Sequence, residues 1–76
     1  MNLIYFSAFR AVMLTGTVSA AAELIGRSQP AVSRLLNKLE TELGVTLFER
    51  RKGLITPTSV AHLLLDEIDR AYTSLD

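Results

Sequence analysis

Three glycines divide the first part of the chain so finely that only short, tightly turned helices fit between them. Gly16, Gly26 and Gly44 each close an apolar-periodic run, and a left-handed residue at such a position is a common helix stop. Two of the stops are followed within two residues by a hydroxyl residue suited to cap the next helix, Thr17 and Ser28. The pattern predicts a helix from Leu3 to Leu14, a short one from about Val18 to Ile25, and a longer one from Gln29 to Leu43. Leu3, Phe6, Phe9, Val12 and Met13 form the apolar face of the first. Ala20, Ala21 and Ala22 leave the second with little bulk, which suits close approach by another helix. Pro30 falls in the first turn of the third, where a missing N–H costs nothing. Val32, Leu36, Leu39 and Leu43 supply that helix's buried stripe.

The next segment changes period. Leu47–Arg50 and Leu54–Thr56 read as two short strands around the turn Arg51-Lys52-Gly53, where Gly53 suits a positive φ. A ribbon this short must lean on the helices to persist. The last helix begins after Pro57, with Thr58 the favoured cap and Thr56, followed by Pro57 at the first helical position, the competing one. It is predicted to run to about Leu75. Val60, Leu64, Ile68, Ala71 and Leu75 make one stripe, which Ala61, Leu65 and Tyr72 widen. That is more apolar surface than one small domain needs. The sequence stops at Asp76 without a C-cap, so a longer natural protein is expected.

Composition narrows the class. With 49% hydrophobic residues in 76, the chain has enough apolar surface to fold but only a small core. Cysteine is absent, which excludes disulfides and thiolate metal sites and fits a reducing cytoplasm. No apolar run suffices for a membrane span, and the start Met1-Asn2-Leu3 is no signal peptide. His62 is the only histidine, and no nucleophile has a visible base, so neither an enzyme nor a metal site is expected. Net charge is zero, but unevenly spread. Six of the eight Lys and Arg lie between Arg27 and Lys52 against three acids, Glu40, Glu42 and Glu49. The segment is therefore +3 and the remainder −3. One basic face on an acidic body, or two solvated faces of opposite sign, both fit this polarity.

A short helix, a tight turn, a second capped helix and a basic hairpin follow winged helix-turn-helix grammar. The expected fold is mainly α: a three-helix core, a short two-stranded wing and a long C-terminal linker helix. Residues 1–58 form the winged domain in this reading and 59–76 the linker and dimerisation helix. The third helix carries two outward rows, Gln29–Ser33–Asn37 and Pro30–Arg34–Lys38, with no acid until Glu40. A major groove admits such a helix, whose first half would present Gln29, Ser33 and Arg34 to base edges. A merely solvated face more often mixes both signs.

Several motifs in fixed spacing resemble the N-terminal domain of LysR-type transcriptional regulators. They are Ser28-Gln29-Pro30-Ala31-Val32-Ser33-Arg34, Leu39-Glu40, Glu42-Leu43-Gly44-Val45 and Leu47-Phe48-Glu49-Arg50. The register extends from Asn2-Leu3 into the last helix. Phe9-Arg10-Ala11-Val12-Met13-Leu14-Thr15-Gly16 is similar to members controlling opine and amino-acid metabolism. The resemblance implies a cytoplasmic, nucleoid-associated protein that binds operator or promoter DNA as a homodimer through the last helix. Val60, Leu64, Leu65, Ile68 and Tyr72 would form the dimer seam. Full-length members add a C-terminal domain for a small-molecule inducer and usually act as tetramers; the fragment itself needs no cofactor. By position, Gln29, Pro30, Ser33 and Arg34 would face the groove. Arg34 would bond guanine or a phosphate, Gln29 adenine or a phosphate, and Pro30 would meet a thymine methyl. Thr17 and Ser28 suit phosphates at helix starts, and Arg51 and Lys52 would reach the minor groove or flanking backbone. Asn37 completes the outer row. Lys38 and Arg50 would contact phosphate, although Arg50 could equally tie the wing to the body through an acid.

Some positions depart from that pattern. Arg27 replaces an apolar turn residue, either to lay its stem over the core or to add a phosphate contact. Ile4 and Tyr5 stand where polar residues are common, either as plain exposed apolar residues or as part of a subunit contact. Leu35 should point partly outward. The rival reading is a winged helix that binds protein and not DNA, favoured by zero net charge and the rich last helix, and opposed by the acid-free helix face and basic wing tip.

Overall fold

The computed structural model describes residues 2–74. Helices α1 (Leu3–Thr15), α2 (Val18–Ile25) and α3 (Gln29–Leu43) are followed by strands β1 (Phe48–Arg51) and β2 (Leu54–Pro57) and by helix α4 (Ser59–Ser74). The helix starts fall where the hydroxyl residues predict. Thr17 Oγ1 accepts from the Ala20 N–H at 3.0 Å, and Ser28 Oγ from the Ala31 N–H at 3.2 Å. Thr58 caps α4, accepting from the Ala61 N–H at 3.3 Å, and its hydroxyl also lies 2.8 Å from the Thr46 carbonyl. It thus pins the start of α4 to the segment entering the wing. The predicted end of the last helix, Leu75, lies outside the described residues.

The core sits where α1, α2 and α3 meet and is closed by the base of the wing. Phe9, Val12, Ala21, Ala22, Val32, Leu36, Leu39, Leu47 and Phe48 are buried. Ala21 and Ala22, the small residues of α2, are both buried in this core. Two expected core residues are not there: Leu3 is 76% exposed and Leu43 39%. Each sits at a helix end, where the neighbouring helix no longer covers it. Ala8, Ala11 and Ala61 are buried instead, small residues at the crossings of α1 and α4 with the body. Ile4 and Tyr5 are half-buried, Tyr5 against this core, so neither is plainly exposed, while Leu35 is half-buried, as a residue pointing partly outward should be.

The two strands are antiparallel, with Phe48 opposite Pro57, Arg50 opposite Ile55 and Arg51 opposite Leu54. The first strand starts one residue later than expected, and the second ends one later. Leu47 is fully buried but does not pair in the sheet; its N–H goes to Glu40 Oε2 at 2.6 Å, and Phe48 N–H to the same oxygen at 3.2 Å. The turn is therefore only Lys52-Gly53, with φ of 51° and 78°. Two consecutive positive φ values define the mirror-image turn whose twist suits a hairpin. Gly53 adopts it freely; Lys52 does so against the usual preference of a side-chain-bearing residue.

Glu40 thus joins α3 to the wing, a contact that its place in the sequence, at the far end of the polar rows, does not announce. Glu40→Ala leaves two N–H groups short of an acceptor and should cost about 1–2 kcal/mol, whereas Glu40→Gln keeps a carbonyl acceptor and should cost less. Chemical denaturation of both variants checks this; equal losses would mean that charge and not the two N–H bonds matters.

Candidate nucleic-acid interface

The starts of α2 and α3 and the wing bring some of their polar residues together. A cleft of about 340 Å³ is lined by Thr17 from the start of α2, Gln29 and Ser33 from α3, and Arg50 and Leu54 from the wing. Register explains the wing's part in it. Arg50 shares a strand face with Phe48 and Ile55, the face that packs toward the body, so its side chain leaves the sheet beside α2 and α3. Arg51 lies on the opposite face with Leu54 as its cross-strand partner, and Lys52 heads the turn.

The expected residues are accessible. Thr17, Ser28, Gln29, Pro30, Arg34, Asn37, Lys38, Arg50, Arg51 and Lys52 are exposed, and Ser33 is half-buried at the cleft wall. A capping hydroxyl uses a lone pair, so Thr17 and Ser28 keep an O–H free to donate outward. The first N–H groups of α2 and α3 likewise lack helical partners. Gly26, with φ of 69°, turns the chain sharply between them, and Arg27 N–H returns to the Ala22 carbonyl at 2.9 Å. That turn projects the exposed Arg27 side chain beside Ser28 and Gln29, next to a second hollow. The arrangement favours its outward placement over coverage of the core.

Charge is partitioned by pairing as well as by position. The salt bridges among the described residues are Arg10–Asp69 and Glu67–Arg70, each at 3.0 Å, one joining α1 to α4 and the other within α4. Arg27, Arg34, Lys38, Arg50, Arg51 and Lys52 form none among the described residues. Arg50 thus has no acid partner among the described residues to tie the wing to the body. Leu54, 71% exposed near the wing tip, is an apolar element of this side that the sequence reading placed only in a strand. Val18 and Ser19 also line the cleft, although neither capping nor a polar helical row marks them in the sequence.

The proposed dimer residues split into two groups. Leu64, Leu65 and Ile68 pack half-buried on the chain's own core, while Val60 and Tyr72 are 38% and 51% exposed. A mostly apolar groove remains between α1 and α4, lined by Leu3, Phe6, Leu64, Ile68 and Tyr72 together with Glu67. His62 is exposed on α4. No group of metal-binding side chains occurs among the described residues, and no described helix is long and apolar enough to cross a membrane.

Three helices, a tight α2–α3 turn and a basic two-stranded hairpin define a winged helix-turn-helix protein. The family described as bacterial regulatory helix-turn-helix protein, lysR family, matches residues 4–62, and the chain belongs to it. It is 51% identical over 76 residues to the octopine catabolism/uptake operon regulatory protein OccR of Rhizobium meliloti, spanning all of this chain and 26% of that protein. It is 41% identical over 76 residues to the transcriptional activator protein LysR of Escherichia coli strain K12, again all of this chain and 24% of that one. The chain thus spans about a quarter of the length of these relatives. These relatives are regulators, as the non-catalytic reading expects. Among solved structures, a CbnR_DBD–DNA complex superposes with a TM-score of 0.89 at 33% identity, covering 99% of this chain and 86% of that one. A BenM_DBD complex with benA site 1 DNA gives 0.89 at 29% identity, covering 100% and 85%.

Proposed function

We propose that this chain binds double-stranded DNA in a sequence-dependent manner, as the operator-reading part of a cytoplasmic transcription regulator. The observation that carries the reading is the division of cations. Six exposed cations on the α2–α3 turn, α3 and the wing form no salt bridge among the described residues, whereas Arg10 and Arg70 are paired. Unpaired cations facing solvent are available to replace the counterions of a phosphate backbone. The acid-free rows of α3 suit the major groove, and Arg51 and Lys52 suit the minor groove or the flanking backbone. That two similar DNA-binding domains were solved in complex with DNA supports DNA binding by this one.

Of the residues on this side, Gln29, Pro30, Ser33, Arg34 and Asn37 would face the bases. Thr17, Ser28, Arg27, Lys38 and Arg50 would face phosphates. The chain would act as a homodimer through α4, as a tetramer when joined to a further domain, and that domain would bind a small-molecule inducer. The relative that regulates an octopine catabolism/uptake operon supports such an inducer.

Duplex binding measured across a salt series tests the proposal. Each phosphate contact should steepen the dependence of log K on log salt by roughly 0.9. Binding that is flat in salt would return the protein-interaction reading. The dimer has its own test. Leu3 is 76% exposed on the rim of the groove beside α4, so Leu3→Glu should leave the fold intact and weaken self-association about tenfold or more, as one buried charge opposite apolar surface would. Sedimentation and thermal unfolding together check this; a dimer that persists in Leu3→Glu places the seam elsewhere. Leu64 and Ile68 are poorer test sites, because they also support their own core.

A further inference from the structure

We infer that Arg10 is a positioning residue: by holding the far half of α4, it sets the spacing at which two copies present their α3 helices to DNA. This rests on the dimeric DNA-binding reading above.

Helix α4 is fixed at its near end. Ala61 is fully buried and Thr58 ties the cap to the wing entry. Leu64, Leu65 and Ile68 then rest half-buried on the body. Beyond them the attachment changes character. Arg10 Nε donates to Asp69 Oδ1 at 3.0 Å, and the same guanidinium lies 5.7 Å from the centre of the Tyr72 ring. Asp69 and Tyr72 are three residues apart and so share a helix face. One planar cation therefore grips two positions of α4 that lie about one turn apart.

Arg10 is well placed to act as a fixed post. It stands between Phe9 and Ala11, both buried, so the backbone beneath it is held by the core. Packing near Tyr72 is loose by contrast: Leu14, Leu24 and Ile25 border an open hollow of about 270 Å³ between the body and that ring. Arg10 spans what apolar side chains do not fill. From Ala61 to Tyr72 is about 16 Å along a helix rising 1.5 Å per residue, long enough for a lost far anchor to change the helix's direction. A half-exposed ion pair adds little to overall stability, so its effect should fall on direction and not on folding. If α4 forms the seam between copies, its direction fixes where the partner's α3 lies.

The test combines residual dipolar couplings of the 76-residue chain with selection of operators whose half-sites are separated by a varied number of base pairs. Arg10→Met and Asp69→Asn remove the pairing; Arg10→Lys keeps a cation. In the first two, α4 couplings should fall relative to those of α1–α3, and the selected spacing should broaden. Bases chosen within each half-site and the thermal midpoint should stay nearly unchanged, and Arg10→Lys should recover much of the original behaviour. Unchanged α4 couplings in both Arg10→Met and Asp69→Asn would overturn the inference whatever happens on DNA. Reduced couplings with an unchanged spacing would also overturn it, since helix direction would then not govern the operator. If the unaltered chain selects no duplex, the DNA reading itself falls and takes the operator half of this inference with it, while the couplings still decide whether Arg10 directs α4.

Discussion

Replacing Phe9 with alanine is expected to remove about 3–5 kcal/mol of folding stability, the usual cost of deleting a buried aromatic ring. Phe9 has no solvent exposure, and its ring meets Phe48 at 5.7 Å between centroids with a 49° tilt. The loss is large against the roughly 5–15 kcal/mol available to an ordinary domain, and a core this small lies toward the low end. A fall in thermal midpoint of about 12–40 °C should accompany it, given about 4–8 °C per kcal/mol for domains of this size. Because Phe48 opens β1, the wing should loosen before the helices do, visible as early loss of amide protection in residues 48–57. A cost below about 1 kcal/mol would show that the ring is replaceable by neighbouring side chains, contrary to its complete enclosure.

Arg34→Ala and Lys52→Ala should weaken DNA binding in different ways. Arg34 stands in the first half of α3 on an acid-free row, exposed and without a salt bridge among the described residues. If it reads a base edge, its loss should cost about 1–3 kcal/mol on the preferred sequence and relax the choice of base at one position. Lys52, at the wing tip, would act as a point charge, so its loss should weaken all duplexes alike and lower the salt slope by about one contact. Titration of each variant with a selected and a scrambled duplex separates these effects. Equal losses on both duplexes for Arg34→Ala would reassign it to phosphate.

The local chemistry of the chain was legible in its sequence, and the long-range contacts were not. Thr17, Ser28 and Thr58 could be recognised as caps because each acts on an N–H only three residues away. The polar rows of α3 were legible because helical spacing alone groups them. Leu47 looked like a strand residue because its alternation is right; what removes it from the sheet is Glu40, seven residues earlier, taking its N–H. Arg10 and Asp69 lie 59 positions apart, and nothing in either neighbourhood announces the other. Size misled as well. Leu3 and Leu43 drew attention as large apolar residues but lie at helix ends, while Ala8, Ala11 and Ala61 occupy the crossings, where only a small side chain fits. For the candidate site, the residue types were visible, but the folding of Arg50 into the cleft beside Thr17 and Gln29 needed the strand register.

Lys52 gives the wing tip a built-in conflict of interests. With φ of 51° it occupies backbone space better suited to asparagine or glycine, at a strain of about 1–2 kcal/mol. Selection for thermal robustness alone would drift this position toward the relaxed Asn-Gly pair and, in doing so, blunt the charge at the tip. Under the proposed function, a hyperstable version of this module would therefore tend to be a weaker gripper of DNA. Heat tolerance and operator affinity should accordingly be opposed at this single residue, while a change such as cavity filling in the core would leave them independent.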